Sequence, residues 1–145
     1  MALKFFYPLV IILPAMLFVV TCKGQSAHEG INFFQGTLKE AKEKAKKENK
    51  LIFFDAYASW CGPCRYMDSV IYAKKTVGDF FSKNFVSIRV DMEKGEGPEL
   101  ATKLTSIDGY PSLLFLDGDG HVIKTILGSR SEKALLGEAK LAMEN

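Results

Sequence analysis

The feature that most constrains this chain is the run Leu51 to Tyr57, LIFFDAY, in which Asp55 is the only charged residue, followed closely by Cys61-Gly62-Pro63-Cys64. An apolar run without alternation predicts a strand buried on both faces at the centre of a sheet. The four-residue dithiol motif then falls at the predicted start of a helix. There, unpaired backbone N–H groups and the positive end of the helix dipole favour a thiolate at Cys61, and the thiolate is the nucleophile. Cys64 lies one turn on and shares the face, with Cα atoms close enough for a disulfide, so it can attack a mixed disulfide formed at Cys61. Pro63 stiffens this turn without removing a needed donor. A zinc site wants about four ligands, and past residue 26 only His28 and His121 could join the pair. Covalent haem attachment needs a His after the second Cys, where Arg65 stands. A purely structural disulfide would close a loop too tight to remove much chain entropy. Redox exchange is the favoured reading.

Around this centre the patterns alternate. Ile31 to Gln35 is expected to form a short first strand. Thr37 with Glu40 three residues later reads as a capping box that opens a helix running to about Asn49. Leu38, Ala41 and Ala45 share its inner face, and Glu40/Lys44 and Glu43/Lys47 are spaced for ion pairs along a solvated one. Phe85 to Val90 predicts a second buried strand, and Pro98 suits the first turn of a helix over Glu96 to Leu104. Ser112 to Leu116 and Val122 to Leu127 flank Asp117-Gly118-Asp119-Gly120 and read as a hairpin. Ser131 caps a last helix with Leu135, Leu136 and Leu141 on its apolar side. The class is α/β: a helix, parallel strands, then an antiparallel hairpin and a helix. Asp117 and Asp119 match the first ligands of a calcium loop, but the later ligands and closing Glu are missing, so a turn is the better reading. His121 is expected at a strand edge on the surface.

With 145 residues, 48% apolar, the chain suffices for one domain of ordinary size. Removing Lys4 and Lys23 from the 19 basic residues leaves 17, equal to the 17 acidic ones, which argues against a nucleic-acid partner. Phe5 to Val20 is uncharged, follows Lys4, and is short for a membrane span, as in a secretory signal. An uncleaved anchor is the alternative. Gly24 and Ser26 fit cleavage before Ala27. The approach Val19-Val20-Thr21 to Cys22 resembles a bacterial lipoprotein signal, with Thr21 larger than the small residue usual there. Residues 1-26 are thus expected to be a signal peptide or lipoprotein signal, 27-36 a linker with the short strand, and 37-145 the domain. The product is expected to be exported and periplasmic, with Cys22 either lipidated at a membrane or discarded.

Phe53 to Cys64, FFDAYASWCGPC, resembles the active-site strand and turn of thioredoxin, and Gly109-Tyr110-Pro111 before SLLFLDGDG resembles the family's cis-proline loop and hairpin. The likeness covers roughly residues 31 to 143. Cys64-Arg65-Tyr66-Met67-Asp68 and the helical stretch to Phe81 are similar to extracytoplasmic members. The resemblance implies a thioredoxin fold, a central mixed β-sheet flanked by helices, and a thiol:disulfide oxidoreductase that reduces protein disulfides. Cys61 would attack, Cys64 resolve, and Asp55 help to deprotonate Cys64. Pro111 would be cis, with Tyr110 backbone pairing an extended client. Trp60, Gly62, Pro63, Ile107 and Gly109 would complete the client groove, although Trp60 and Ile107 also read as ordinary packing.

Burial alone would raise the pKa of Asp55. The family's Lys near this acid is absent, with Ser87 in the corresponding region and Arg89 two residues on, so the tuning of Asp55 stays open. Beyond the redox-active disulfide, no metal or cofactor is expected. Client proteins with disulfides and a membrane thiol electron donor are the implied partners, and the chain is expected to act as a monomer. A net oxidant or isomerase is the enzymatic alternative. A noncatalytic client-binding module is the other, against which the intact dithiol argues.

Overall fold

The computed structural model describes residues 29–104 and 106–144. The readings of residues 1-26, of Cys22 and of His28 lie outside the described residues. A four-stranded mixed sheet forms the centre, in the order β2-β1-β3-β4. Strand β1 (Leu51–Tyr57) pairs parallel with β2 (Phe85–Asp91) and antiparallel with β3 (Ser112–Leu116), which pairs antiparallel with β4 (Val122–Leu127). Five central residues of β1 are buried, as its apolar run requires.

Alternate side chains of β1 feed two cores. Ile52, Phe54 and Ala56 face α1 (Leu38–Glu48) and α4 (Gly97–Lys103), meeting Leu38, Ala41, Ala45 and Leu100. Phe53 faces the opposite side, where a π-helical turn (Met67–Tyr72) that continues α2 (Gly62–Tyr66) closes over an aromatic core together with α3 (Lys75–Asn84) and α5 (Glu132–Met143). Phe53 meets Phe81 edge-on at 4.7 Å between ring centres, and Phe115 and Tyr72 complete the cluster.

The capping box at Thr37 and Glu40 is present, and Asn49 ends α1 in the left-handed region. Glu40 is committed to that cap, so Lys44 pairs with Glu48 instead of Glu40. Ile31 to Gln35 is not a strand. It runs along the outer edge of β2, where Phe34 N–H donates to Ser87 O at 2.7 Å, while Ile31 N–H is drawn to Tyr72 O. Gly30 and Gly78 explain that path: a Cβ on Gly78 would stand 2.3 Å from Gly30 O, so bare glycines let the segment pack onto α3. On α5 the inner stripe is Leu135, Ala139 and Ala142, spaced i, i+4, i+7, and Leu141 is out of phase and exposed.

The Asp117 to Gly120 hairpin closes as a turn. Asp117 carboxylate accepts from the backbone of Asp119 and His121, and Gly120 takes φ 89°. His121 is exposed and pairs with Asp117 at 2.9 Å.

Candidate redox site

Strand β1 ends at Tyr57, and a tight turn carries the chain into α2, with Cys61 at its N-cap. Cys61 and Cys64 form a disulfide with Cα atoms 5.3 Å apart. Cys61 Sγ also accepts the Cys64 backbone N–H at 3.1 Å. That donor and the helix start stabilise negative charge on Cys61 sulfur once the bond opens. Gly62 and Pro63 fill the first turn, where the missing proline N–H costs no hydrogen bond.

Both cysteines are buried with Ala58, and the half-buried Tyr57 and Tyr110 pack against them. The Tyr110–Pro111 peptide is cis. Pro111 O accepts from Gly128, and Ser112 hydroxyl donates to Gly109 O at 2.7 Å, which fixes this loop at the head of β3. Trp60 is 64% exposed, meets Tyr110 edge-on, and donates its indole N–H to Glu93 at 2.8 Å. Ile107, like Tyr110, is partly buried and packs against the α1 and α4 core.

Asp55 is completely buried on the Phe53 side of β1. The parallel register sets Arg89 of β2 opposite it and Leu113 of β3 on the other side. Arg89 Nε stands 3.0 Å from Asp55 Oδ2 without hydrogen-bond alignment, so the contact is an ion pair. Burial pushes the Asp55 pKa up to about 7 against the pull of Arg89, and the negative charge of Asp68 adds to the rise. Arg89 continues outward, with Nη1 2.7 Å from Asp68 and its guanidinium 4.2 Å from the Tyr57 ring centre. Tyr72 hydroxyl is held well above its ordinary pKa by burial and by Asp55. Asp68, Tyr72 and Glu93 were not among the residues the sequence marked for the site, Asp68 standing only within the run similar to extracytoplasmic members. The first two reach Asp55 only through the π-helical turn, a feature that often marks functional sites. Among the described residues no group of three or more His, Cys, Asp or Glu is placed to hold a metal.

A mixed sheet with helices on both faces, carrying a disulfide at a helix start beside a cis-proline loop, defines the class of thioredoxin-fold proteins equipped for thiol–disulfide exchange. The chain belongs to the thioredoxin-like family, whose model matches residues 33–118. It is 36% identical over 91 residues to a thioredoxin H-type of Oryza sativa subsp. indica, covering 61% of this chain and 66% of that protein's length. Thioredoxin AMT13 of Alternaria alternata is 31% identical over 106 residues, which cover 72% of this chain and 81% of that protein. A solved structure from Bacteroides thetaiotaomicron, described as a candidate disulphide isomerase, is 38% identical with a TM-score of 0.71, covering 81% and 96% of the two chains.

Proposed function

We propose that the protein is a thiol:disulfide oxidoreductase that reduces disulfides of client proteins outside the cytoplasm. The observation that carries this reading is the Cys61–Cys64 pair, with Cys61 sulfur on the Cys64 N–H and Tyr110 of the cis-proline loop packed beside it. In the dithiol state, Cys61 thiolate attacks one sulfur of a client disulfide, forming a mixed disulfide and releasing the first client thiolate. Cys64 thiol gives its proton to Asp55 carboxylate and attacks Cys61 sulfur. That breaks the mixed disulfide, releases the second client thiolate, and leaves Cys61–Cys64 oxidised. Two electrons pass to the client, and the client thiolates take up protons from Asp55 and solvent. An acid near pKa 7 suits this work, because it accepts and returns a proton at neutral pH.

Trp60, Tyr110 and Pro111 form the client-facing side, with Gly62, Pro63 and Gly109 shaping the backbone that a client approaches. A membrane thiol carrier recharges the pair, since an oxidising compartment would not. The N-terminal signal delivers the domain there, and lipid at Cys22 holds it to the membrane. Intact mass of the mature chain tests the anchor: an unacylated chain beginning at Ala27 overturns lipidation. A second reading, oxidant or isomerase, is favoured by the description given to the Bacteroides thetaiotaomicron protein. Acid quenching of growing cells with thiol alkylation, followed by equilibration of the purified protein with glutathione, separates the two. A reduced pair in cells with a low potential supports the reductase. A largely oxidised pair with a potential near strong oxidants reverses the direction.

A further inference from the structure

Arg89 is held on three sides. Its Nε end meets the buried Asp55, its Nη1 end meets Asp68, and its face lies over Tyr57, whose ring packs against the cysteine pair. Asp68 is 52% exposed at the side chain and lines an open cavity of about 510 Å³ with Glu29, Asn32 and Gln35, whereas Asp55 has no exposure at all. One guanidinium therefore joins an interior carboxylate to a solvated one. The tighter contact goes to the surface acid, at 2.7 Å against 3.0 Å, and the interior contact lacks hydrogen-bond alignment.

A planar guanidinium serves a carboxylate best through two parallel N–H bonds. Asp55 does not receive that pairing, because Arg89 is drawn toward the π-helical turn. We infer that Asp68 is a positioning residue for the dithiol chemistry: it holds Arg89 between surface and interior, so that Asp55 shares this cation and keeps its readiness to take up a proton. The inference rests on the reading of Asp55 as the proton acceptor of Cys64. Two consequences of Asp68 act in the same direction. It diverts the cation that would stabilise Asp55 carboxylate, and its own negative charge opposes a second one nearby. The groups acting on Asp55 are Arg89 from β2, and Asp68 and Tyr72 from the π-helical turn. Tyr57 shares its strand, β3 contributes the uncharged Leu113, and α2 contributes the cysteine pair.

The test is the pH profile, from pH 5 to 9, of disulfide exchange between the reduced protein and a disulfide-bonded peptide. Wild type, Asp55→Asn, Asp68→Asn and the double variant are compared. Asp68→Asn is expected to move the midpoint of the profile down by roughly half a unit to one unit, because Arg89 is freed for Asp55. In the Asp55→Asn background, Asp68→Asn is expected to change nothing. NMR titration of the Asp55 carboxyl in the oxidised protein gives the same shift without reference to activity. An unshifted midpoint and titration in Asp68→Asn, with Asp55→Asn still slow, overturn the role of Asp68 alone. A shift that persists without Asp55 overturns it too, since another group then carries the effect. A profile untouched by Asp55→Asn overturns the proton-acceptor reading and this inference together.

Discussion

Asp55 and Asp119 each face one cation across elements of the same fold, Arg89 at 3.0 Å and Lys46 at 2.5 Å, and they respond in opposite directions. Asp119 lies on the hairpin, exposed like its partner, and the Lys46 hydrogen bond lowers its pKa. Asp55 sits inside the sheet on β1, the strand that leads to the disulfide, and burial lifts it to about 7 in spite of Arg89. Desolvation, not the presence of a cation, decides the outcome. At one end of the molecule a carboxylate fastens a turn to α1. Near the other it is held at the edge of ionisation.

The sharpest way to break this contrast is at the sulfurs. Cys61→Ser is expected to abolish disulfide reduction, while Cys64→Ser accumulates mixed disulfides with clients, read by non-reducing electrophoresis. Trapping in the Cys61→Ser protein and none in the converse would exchange the two roles.

Asp55→Asn comes next, with exchange near pH 7 slowed by about tenfold or more. Its stability has a definite sign as well. Folded Asp55 keeps its proton to about pH 7, whereas its ordinary value is 3.8, so the folded state binds the extra proton between those limits. This contribution is fully present below about pH 4 and is lost as pH rises through 7, a change on the order of 4 kcal/mol. Urea titrations at pH 4, 6 and 8 check it: the fall from acid to neutral pH is expected to be smaller in Asp55→Asn. An identical fall in both proteins would place its source in another group.

The smallest effect belongs to the hairpin. Asp119→Ala is expected to leave exchange unchanged and to shift Tm by less than about 2 °C, because an exposed ion pair is screened and gains little. A loss of activity there would erase the distinction between the two ends.

The active end was legible because its signals are local. LIFFDAY gives the buried strand, the dithiol follows it directly, and Gly109-Tyr110-Pro111 marks the loop before β3. The hairpin strands fall at the expected residues for the same reason. What escaped the sequence depends on contacts between distant segments. Ile31 to Gln35 has strand composition, yet Gly30 packs on Gly78 and leaves it beside β2 with one sheet-like bond at Phe34. The helix expected to run on to Phe81 is interrupted at Ala73 and Lys74, after the π-helical turn. Arg89 was visible as a nearby cation, but its place opposite Asp55 needs the parallel register. The arrival of Asp68 at Arg89 needs the π-helical turn, and neither has a composition of its own.

The chain has a single tryptophan, and it is the residue before Cys61, exposed and tethered through its indole N–H to Glu93. A neighbouring disulfide quenches an excited indole by accepting its electron, and a dithiol does so far less. The ultraviolet emission of the protein is therefore expected to rise when the disulfide beside Trp60 in sequence is reduced, which a fluorescence titration with a dithiol reductant checks. No dye is needed and no second tryptophan dilutes the signal, so electron delivery to this protein can be followed in real time in an unlabelled sample.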